Sequence, residues 1–212
     1  MSVSDLVKIA RQGGAPYEAL VRDAVSNPAQ YEAVHAAMMS LFEQGGETDR
    51  LLAISVGEHL GDRNLAATVA ESLETVLTES GSLPSWIPLA VTMVSDLLVP
   101  THPKRQPVFL ACISRSETRL AGWKMARQVD AELMIPHVEA LLAEHPHEAK
   151  AVAIKFALVW QDSCELLAHT VATWSTVSQD AFDVFMDTIE VYLMRVRRVR
   201  LWRNFLAIAK PR

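Results

Sequence analysis

Apolar residues recur at intervals of three and four along almost the whole chain of 212 residues, which is the spacing of amphipathic helices. Hardly any stretch alternates apolar and polar residues as a half-buried strand does. The pattern therefore predicts an all-α fold. We expect twelve helices, near residues 3–12, 16–25, 28–44, 48–60, 63–79, 84–98, 105–113, 116–129, 131–143, 147–160, 163–175 and 179–209.

Short polar breaks separate the predicted helices. Each break contains residues that cap, end or cannot continue a helix. Short connections between amphipathic helices make successive helices antiparallel neighbours, so we expect a single helical domain over residues 1–212. The breaks are Gly13-Gly14, Asn27-Pro28, Gly45-Gly46, Gly61-Asp62, Gly81-Ser82, Pro100 with Pro103, and the HPH step at 145–147.

Four helical segments share a polar break, a charged first turn and small residues at helix spacing. They begin at Asn27, Gly61, Ser114 and His145. Alanines within them are expected to let a neighbouring helix approach closely. These are Ala33 and Ala36, Ala67 and Ala70, Ala121 and Ala126, and Ala149, Ala153 and Ala157.

The sequence of residues 132–162, ELMIPHVEALLAEHPHEAKAVAIKFALVWQD, resembles a HEAT-type repeat: a helix, a tight polar turn and an alanine-rich second helix. The four segments start 34, 53 and 31 residues apart, which is irregular for a repeat protein. The resemblance implies a short irregular α-solenoid of antiparallel helix pairs with atypical terminal units. An irregular helical bundle is the alternative.

Composition indicates a protein that buries much of its surface, since 50% of the residues are hydrophobic and 21% are charged. Cys112 and Cys164 lie far apart without a CxxC motif, which argues against a zinc site or disulfide framework and favours a reducing cytoplasm. The first residues lack the apolar core of a signal peptide. No apolar run approaches the ~18 residues that span a bilayer.

Candidate chemistry is sparse. The sequence has no phosphate-binding GxxxxGK[ST], no GxGxxG after a strand and no GxSxG elbow. His145 and His147 flank Pro146 in a turn, where the two rings cannot share one helix face, so we expect a helix start rather than a metal site. Cys164 and His169 are five positions apart, which points their side chains away from each other on a helix.

The remaining single histidines within helices, His35, His59 and His137, are expected to be partly buried and satisfied by a backbone or side-chain partner. Asp183 and Asp187 are typical of a solvated face. We therefore predict no catalytic residue, no cofactor, no metal and no enzymatic activity. An enzyme on a helical-repeat scaffold, such as the HEAT-like lyases that act on bilin chromophores, is an alternative.

Charge divides the chain sharply. Residues 1–194 contain 13 Lys or Arg against 25 Asp or Glu, a net charge of −12, whereas 195–212 contain seven basic residues and no acid. Five of the arginines fall within nine positions, 195–203. Acidic residues near the start of the last helix and basic residues near its end interact favourably with the helix dipole. This effect explains part of the arginine cluster.

The last helix, 179–209, has a predicted inner stripe and a basic, partly apolar end. Its inner stripe is Phe182, Phe185, Ile189, Tyr192, Val196 and Val199, opposite Asp180, Asp183, Asp187 and Glu190. Met194, Leu201 and Phe205 form a second apolar strip that includes Arg198. No Asp or Glu lies three or four positions before any arginine of 195–203. Salt bridges within the helix therefore cannot neutralise these arginines, and their acidic partners must lie elsewhere. We predict a partner-binding site of Arg197, Arg198, Arg200, Leu201, Trp202, Arg203 and Phe205.

These observations favour a cytoplasmic, non-enzymatic protein-interaction module: an adaptor, a chaperone, or an immunity-type inhibitor whose acidic body attracts a cationic target. The partner is another protein or a second copy. Binding of nucleic acid by the basic C-terminal segment is the alternative. It is disfavoured because the earlier basic residues are scattered and outnumbered by acids.

Overall fold

The computed structural model describes residues 1–79, 81–99, 101–123, 125, 131–153, 179–195, 203–204 and 206–207. Within these ranges the chain is helical and contains no strand, as predicted. The α-helices are α1 Val3–Gln12, α2 Gly14–Ser26, α3 Pro28–Gln44, α4 Glu47–Leu60, α5 Arg63–Thr78, α6 Ile87–Leu97, α7 Arg105–Ile113, α8 Ser116–Gly122, α9 Ala131–Glu144 and α10 Gln179–Arg195. A 3₁₀ helix, Pro146–Glu148, follows α9.

The helix boundaries follow the predicted stop signals. Ser2 and Asp5 form a capping box at the start of α1, and Gly13 ends that helix with a φ of 63°. The side chain of Asn27 accepts hydrogen bonds from the first amides of α3, where Pro28 occupies the first turn. Gly61 ends α4 in the left-handed conformation, which glycine adopts without steric cost.

Two compact units make up the chain, residues 1–111 and 112–212. In the first unit, consecutive helices from α1 to α6 pack against each other. Next-but-one contacts join α1 with α3, α2 with α4, α3 with α5 and α4 with α6. Its core contains the fully buried side chains of Leu6, Met38, Ile54, Leu73 and Trp86. The expectation of one domain over 1–212 stays a prediction.

Close helix packing in the first unit depends on small residues, although not on all of those expected. Ala70 is buried, but Ala36 is exposed and its neighbour Ala37 is buried instead. The expectation for Ala36 was therefore wrong, because the buried side of α3 runs through Val34, Ala37, Met38, Leu41 and Phe42. At Gly57 of α4 a Cβ atom would lie 2.5 Å from Leu65 Cδ2, so α4 and α5 are in close contact there.

In the second unit, α8 packs on α9, and the 3₁₀ helix packs on both α9 and α10. Trp123, Phe185 and Ile189 are buried there, as are the predicted packing residues Ala149 and Ala153. The predicted helix 163–175, together with Ala126, Ala157, Cys164 and His169, lies outside the described residues. Residues 154–162 of the segment that resembles a HEAT repeat also lie outside the described residues.

Candidate functional site

Two places in the structure bring together side chains that could serve a function. One is a cluster of Tyr31, His35 and Asp62 in the first unit. The other is the side of α10 that faces away from the core of the second unit, which we call the outer face.

The cluster is centred on a fully buried carboxylate. Asp62 caps α5: its Oδ1 accepts hydrogen bonds from the amides of Asn64, at 3.1 Å, and Leu65, at 2.9 Å. Its Oδ2 lies 2.6 Å from Nδ1 of His35 on α3, and the N–H of that nitrogen donates to the carboxylate, which can only accept. The side chain of Asp62 therefore links α3 to the first turn of α5.

Tyr31 lies one helical turn before His35, and their rings stack with centroids 6.0 Å apart and planes within 12°. Burial of the phenol, and secondarily the charge of Asp62, raises the pKa of Tyr31 to about 12. Both oxygens of Asp62 accept hydrogen bonds from groups of this same chain, the amides of α5 and the ring of His35. The cluster therefore has a structural role, because it joins α3 to α5. The sequence predicted a satisfied histidine at position 35 but not its partner 27 residues away.

The other candidate residues that the structure describes have contacts that explain them as parts of the fold. His59 is exposed, so the expectation of partial burial was wrong for it, but its Nδ1 lies 2.7 Å from the carbonyl oxygen of Ser55, as expected of a histidine satisfied by the backbone. Burial raises the pKa of the Cys112 thiol to about 12, which disfavours the nucleophilic thiolate. Pro146 begins a helical turn, as predicted, and the rings of His145 and His147 meet edge to face. In the described ranges no three His, Cys, Asp or Glu side chains are grouped to hold a metal ion.

The outer face of α10 is built by the amphipathic pattern of that helix. Its inner side is buried through Ala181, Phe182, Phe185, Met186 and Ile189, which confirms the predicted inner stripe as far as Ile189. The predicted acidic residues are exposed on the opposite side: Asp180, Asp183, Asp187 and Glu190. Among the described residues no ion pair neutralises these four carboxylates.

Two valines lie on this acidic side, seven residues apart. Val184 is 45% exposed and Val191 is 52% exposed, and the spacing places them above each other, two turns apart, on one face of the helix. Two further valines of the described ranges are exposed, Val25 at 69% on α2 and Val99 at 39% after α6, and neither has a second exposed valine on its own helix. The two valines were missed in the sequence, although the 3-4 spacing continues from them to the predicted strip at Met194, Leu201 and Phe205.

Most of the predicted partner-binding residues follow α10 directly. Arg203 is exposed and helical. Arg197, Arg198, Arg200, Leu201, Trp202 and Phe205 lie outside the described residues, so their assignment to a binding site stays a prediction. What the structure adds is the exposed outer face of α10, which precedes these residues in the sequence.

No helix in the described ranges is both long and apolar enough to cross a membrane. Comparison with known proteins gives no match to a family model, to a curated protein or to a solved structure.

Proposed function

We propose that the chain is a non-enzymatic protein-interaction module that binds a protein partner through the outer face of α10 and the basic segment that follows it. The observation that carries this proposal is the pair of exposed valines, Val184 and Val191, within a field of four exposed carboxylates. A single exposed apolar side chain is ordinary on a protein surface. Here two exposed valines lie two turns apart on one helix face, and further apolar residues follow at the same spacing in the sequence. A row of this kind is what a helix places against a protein partner.

Charge supports a partner with a basic surface. The four carboxylates surround the valines, and residues 1–194 carry a net charge of −12. Such a field attracts cationic surfaces and accelerates their association, whereas it repels phosphate. An adaptor, a chaperone and an immunity-type binder of a cationic protein are all consistent with this chemistry, and the cytoplasm is the proposed compartment.

The repeat architecture is part of the same proposal. Contacts between each helix and its next and next-but-one neighbours, from α1 to α6, support a short HEAT-like solenoid, in which stacked helix pairs present extended lateral surfaces. The irregular bundle remains the alternative architecture. Nucleic-acid binding remains the alternative function, through the arginines of 195–203 alone.

Site-specific photocrosslinking in the native cell tests the function. A photoreactive residue replaces Val191 in one full-length variant and Val25, an exposed valine on another helix, in the control. We expect position 191 to give a discrete crosslinked protein and position 25 to give none. If position 191 crosslinks to no protein while the variant is folded and abundant, the outer face does not bind a protein and the proposal is wrong.

A further inference from the structure

The outer face of α10 contains two sets of four side chains with the spacing i, i+3, i+4 and i+7. Side chains with this spacing surround a hole into which one side chain of a facing helix packs. The first set, which we call the apolar hole, is Val184, Asp187, Thr188 and Val191. The second set, the acidic hole, is Asp180, Asp183, Val184 and Asp187. Each of these residues is exposed except Thr188, which is half-buried.

The apolar hole suits an apolar side chain of a partner. Val184 and Val191 form its two ends, roughly 10 Å apart along the helix axis, and both are about half exposed. Oγ1 of Thr188 donates a hydrogen bond to the carbonyl oxygen of Val184 at 2.7 Å. An apolar side chain can therefore cover the two valines without leaving the hydroxyl of Thr188 unsatisfied.

The acidic hole lies about one turn closer to the start of α10, and three of its four side chains are carboxylates. The helix dipole favours Asp180, in the first turn, but its effect does not extend to Asp187. Asp183 accepts a hydrogen bond from Nε2 of Gln179 at 2.9 Å, and this neutral donor leaves the charge in place. Like charges three and four positions apart destabilise a helix, so a cation in this hole relieves a repulsion within α10.

We infer that the partner of the outer face is a basic amphipathic helix, which places an apolar side chain in the apolar hole and a Lys or Arg in the acidic hole. This inference rests on the proposed function, because it names the kind of partner that the same face binds. The two holes are centred four residues apart, roughly 6 Å along the axis. Side chains three or four positions apart on a facing helix have nearly the same separation.

Backbone hydrogen bonding favours a helix over an extended segment as the occupant. Within α10 the backbone N–H and C=O groups bond to each other, so the outer face offers none to a partner. An extended segment would therefore lose water from its own N–H and C=O groups without gaining hydrogen bonds in return. A helix satisfies these groups internally and binds through its side chains alone.

A synthetic peptide of about 20 residues, long enough to form an isolated helix, tests the inference. It has Leu at every seventh position, Lys three positions before and after each Leu, and Ala or Gln elsewhere. In fluorescence anisotropy with the full-length chain in low salt, it should bind with a Kd below ~100 μM. A peptide with Gln in place of each Lys, and another with Gln in place of each Leu, should bind at least ~10-fold more weakly.

A matched pair of protein variants locates the binding. Asp183→Asn with Asp187→Asn removes two charges from the acidic hole and retains an oxygen acceptor at each position, so affinity for the lysine peptide should fall at least ~10-fold. Glu18→Gln with Asp23→Asn removes two exposed charges from α2, which carries the exposed Val25. This control should bind the peptide within about 3-fold of the wild type.

Three results would overturn the inference. The lysine peptide does not bind the wild type, it binds no better than the two Gln peptides, or the two protein variants weaken it equally, which would show that net charge alone attracts it. If any of these is found while position 191 crosslinks a protein in the cell, the basic helix is wrong as the partner and the proposed function stands. Absence of that crosslink would contradict the proposed function itself.

Discussion

Replacement of Asp62 by alanine should destabilise the first unit more than most single substitutions do. The change removes the acceptor of two backbone amides of α5 and of the His35 ring, all within 3.1 Å of the carboxylate. Loss of a helix cap costs about 1 kcal/mol. A part-buried donor left without its acceptor adds about 1 to 3 kcal/mol. We therefore expect the free energy of unfolding to fall by about 2 to 4 kcal/mol, in the range of these two effects combined.

Urea unfolding followed by circular dichroism at neutral pH measures this change. Asp62→Asn is the control, because its amide oxygen still caps α5 and its NH₂ group can meet the other tautomer of His35; its cost should be about 1 kcal/mol or less. A double-mutant cycle with His35→Ala isolates the link between α3 and α5 and should give a coupling of about 1 kcal/mol or more. A cost below about 0.5 kcal/mol for Asp62→Ala, or a coupling near zero, would refute the role given to this carboxylate.

Three further predictions follow from buried polar groups. Tyr31 has a pKa of about 12 in the folded chain against an ordinary value of 10.0, so the unfolded chain loses this proton first. The stability due to the neutral phenol is present below pH 10 and is lost as the pH rises toward 12, and Tyr31→Phe should reduce that alkaline loss in unfolding experiments. In a Cys164→Ser variant, Cys112 should resist a thiol reagent at neutral pH until the protein is unfolded; rapid labelling of the native state would contradict its burial. Arg105→Ala should lower the free energy of unfolding by about 2 to 3 kcal/mol, because the buried guanidinium donates hydrogen bonds to the carbonyl oxygens of Leu98 and Ser95 at the end of α6. Arg105→Lys should recover part of that stability. An unchanged urea midpoint for Arg105→Ala would show that these hydrogen bonds contribute nothing.

Local signals in the sequence predicted helix ends well, because caps and breakers act through adjacent atoms. The ends of α1, α3 and α4 at Gly13, Gly45 and Gly61 are examples. The inner stripe of α10 was predicted for the same reason: the spacing of Phe182, Phe185 and Ile189 determines a face of that helix. Ala36 shows the limit of this reasoning, because a rotation of one position decides which of two adjacent alanines is buried.

Contacts between distant residues could not be predicted from the sequence. Asp62 was recognisable as part of a break and a potential cap, but its contact with His35 depends on how α3 packs against the start of α5. Val184 and Val191 could have been found, since their spacing joins the strip at Met194. They were missed because the four acidic residues around them indicate a side of the helix that is exposed to solvent.

The outer face of α10 is the surface on which the proposed function rests, and the affinity of a Val184→Asp, Val191→Asp variant tests it most directly. The ligand is the protein that crosslinks to position 191, whether a second copy or another chain, and the affinity is measured by calorimetry beside unfolding in urea. Both side chains are about half exposed, so the free energy of unfolding should change by less than about 1 kcal/mol. We predict that affinity falls at least ~10-fold in this variant, while Val25→Asp binds as the wild type does. Equal affinity of the two variants and the wild type would show that the outer face does not bind the partner.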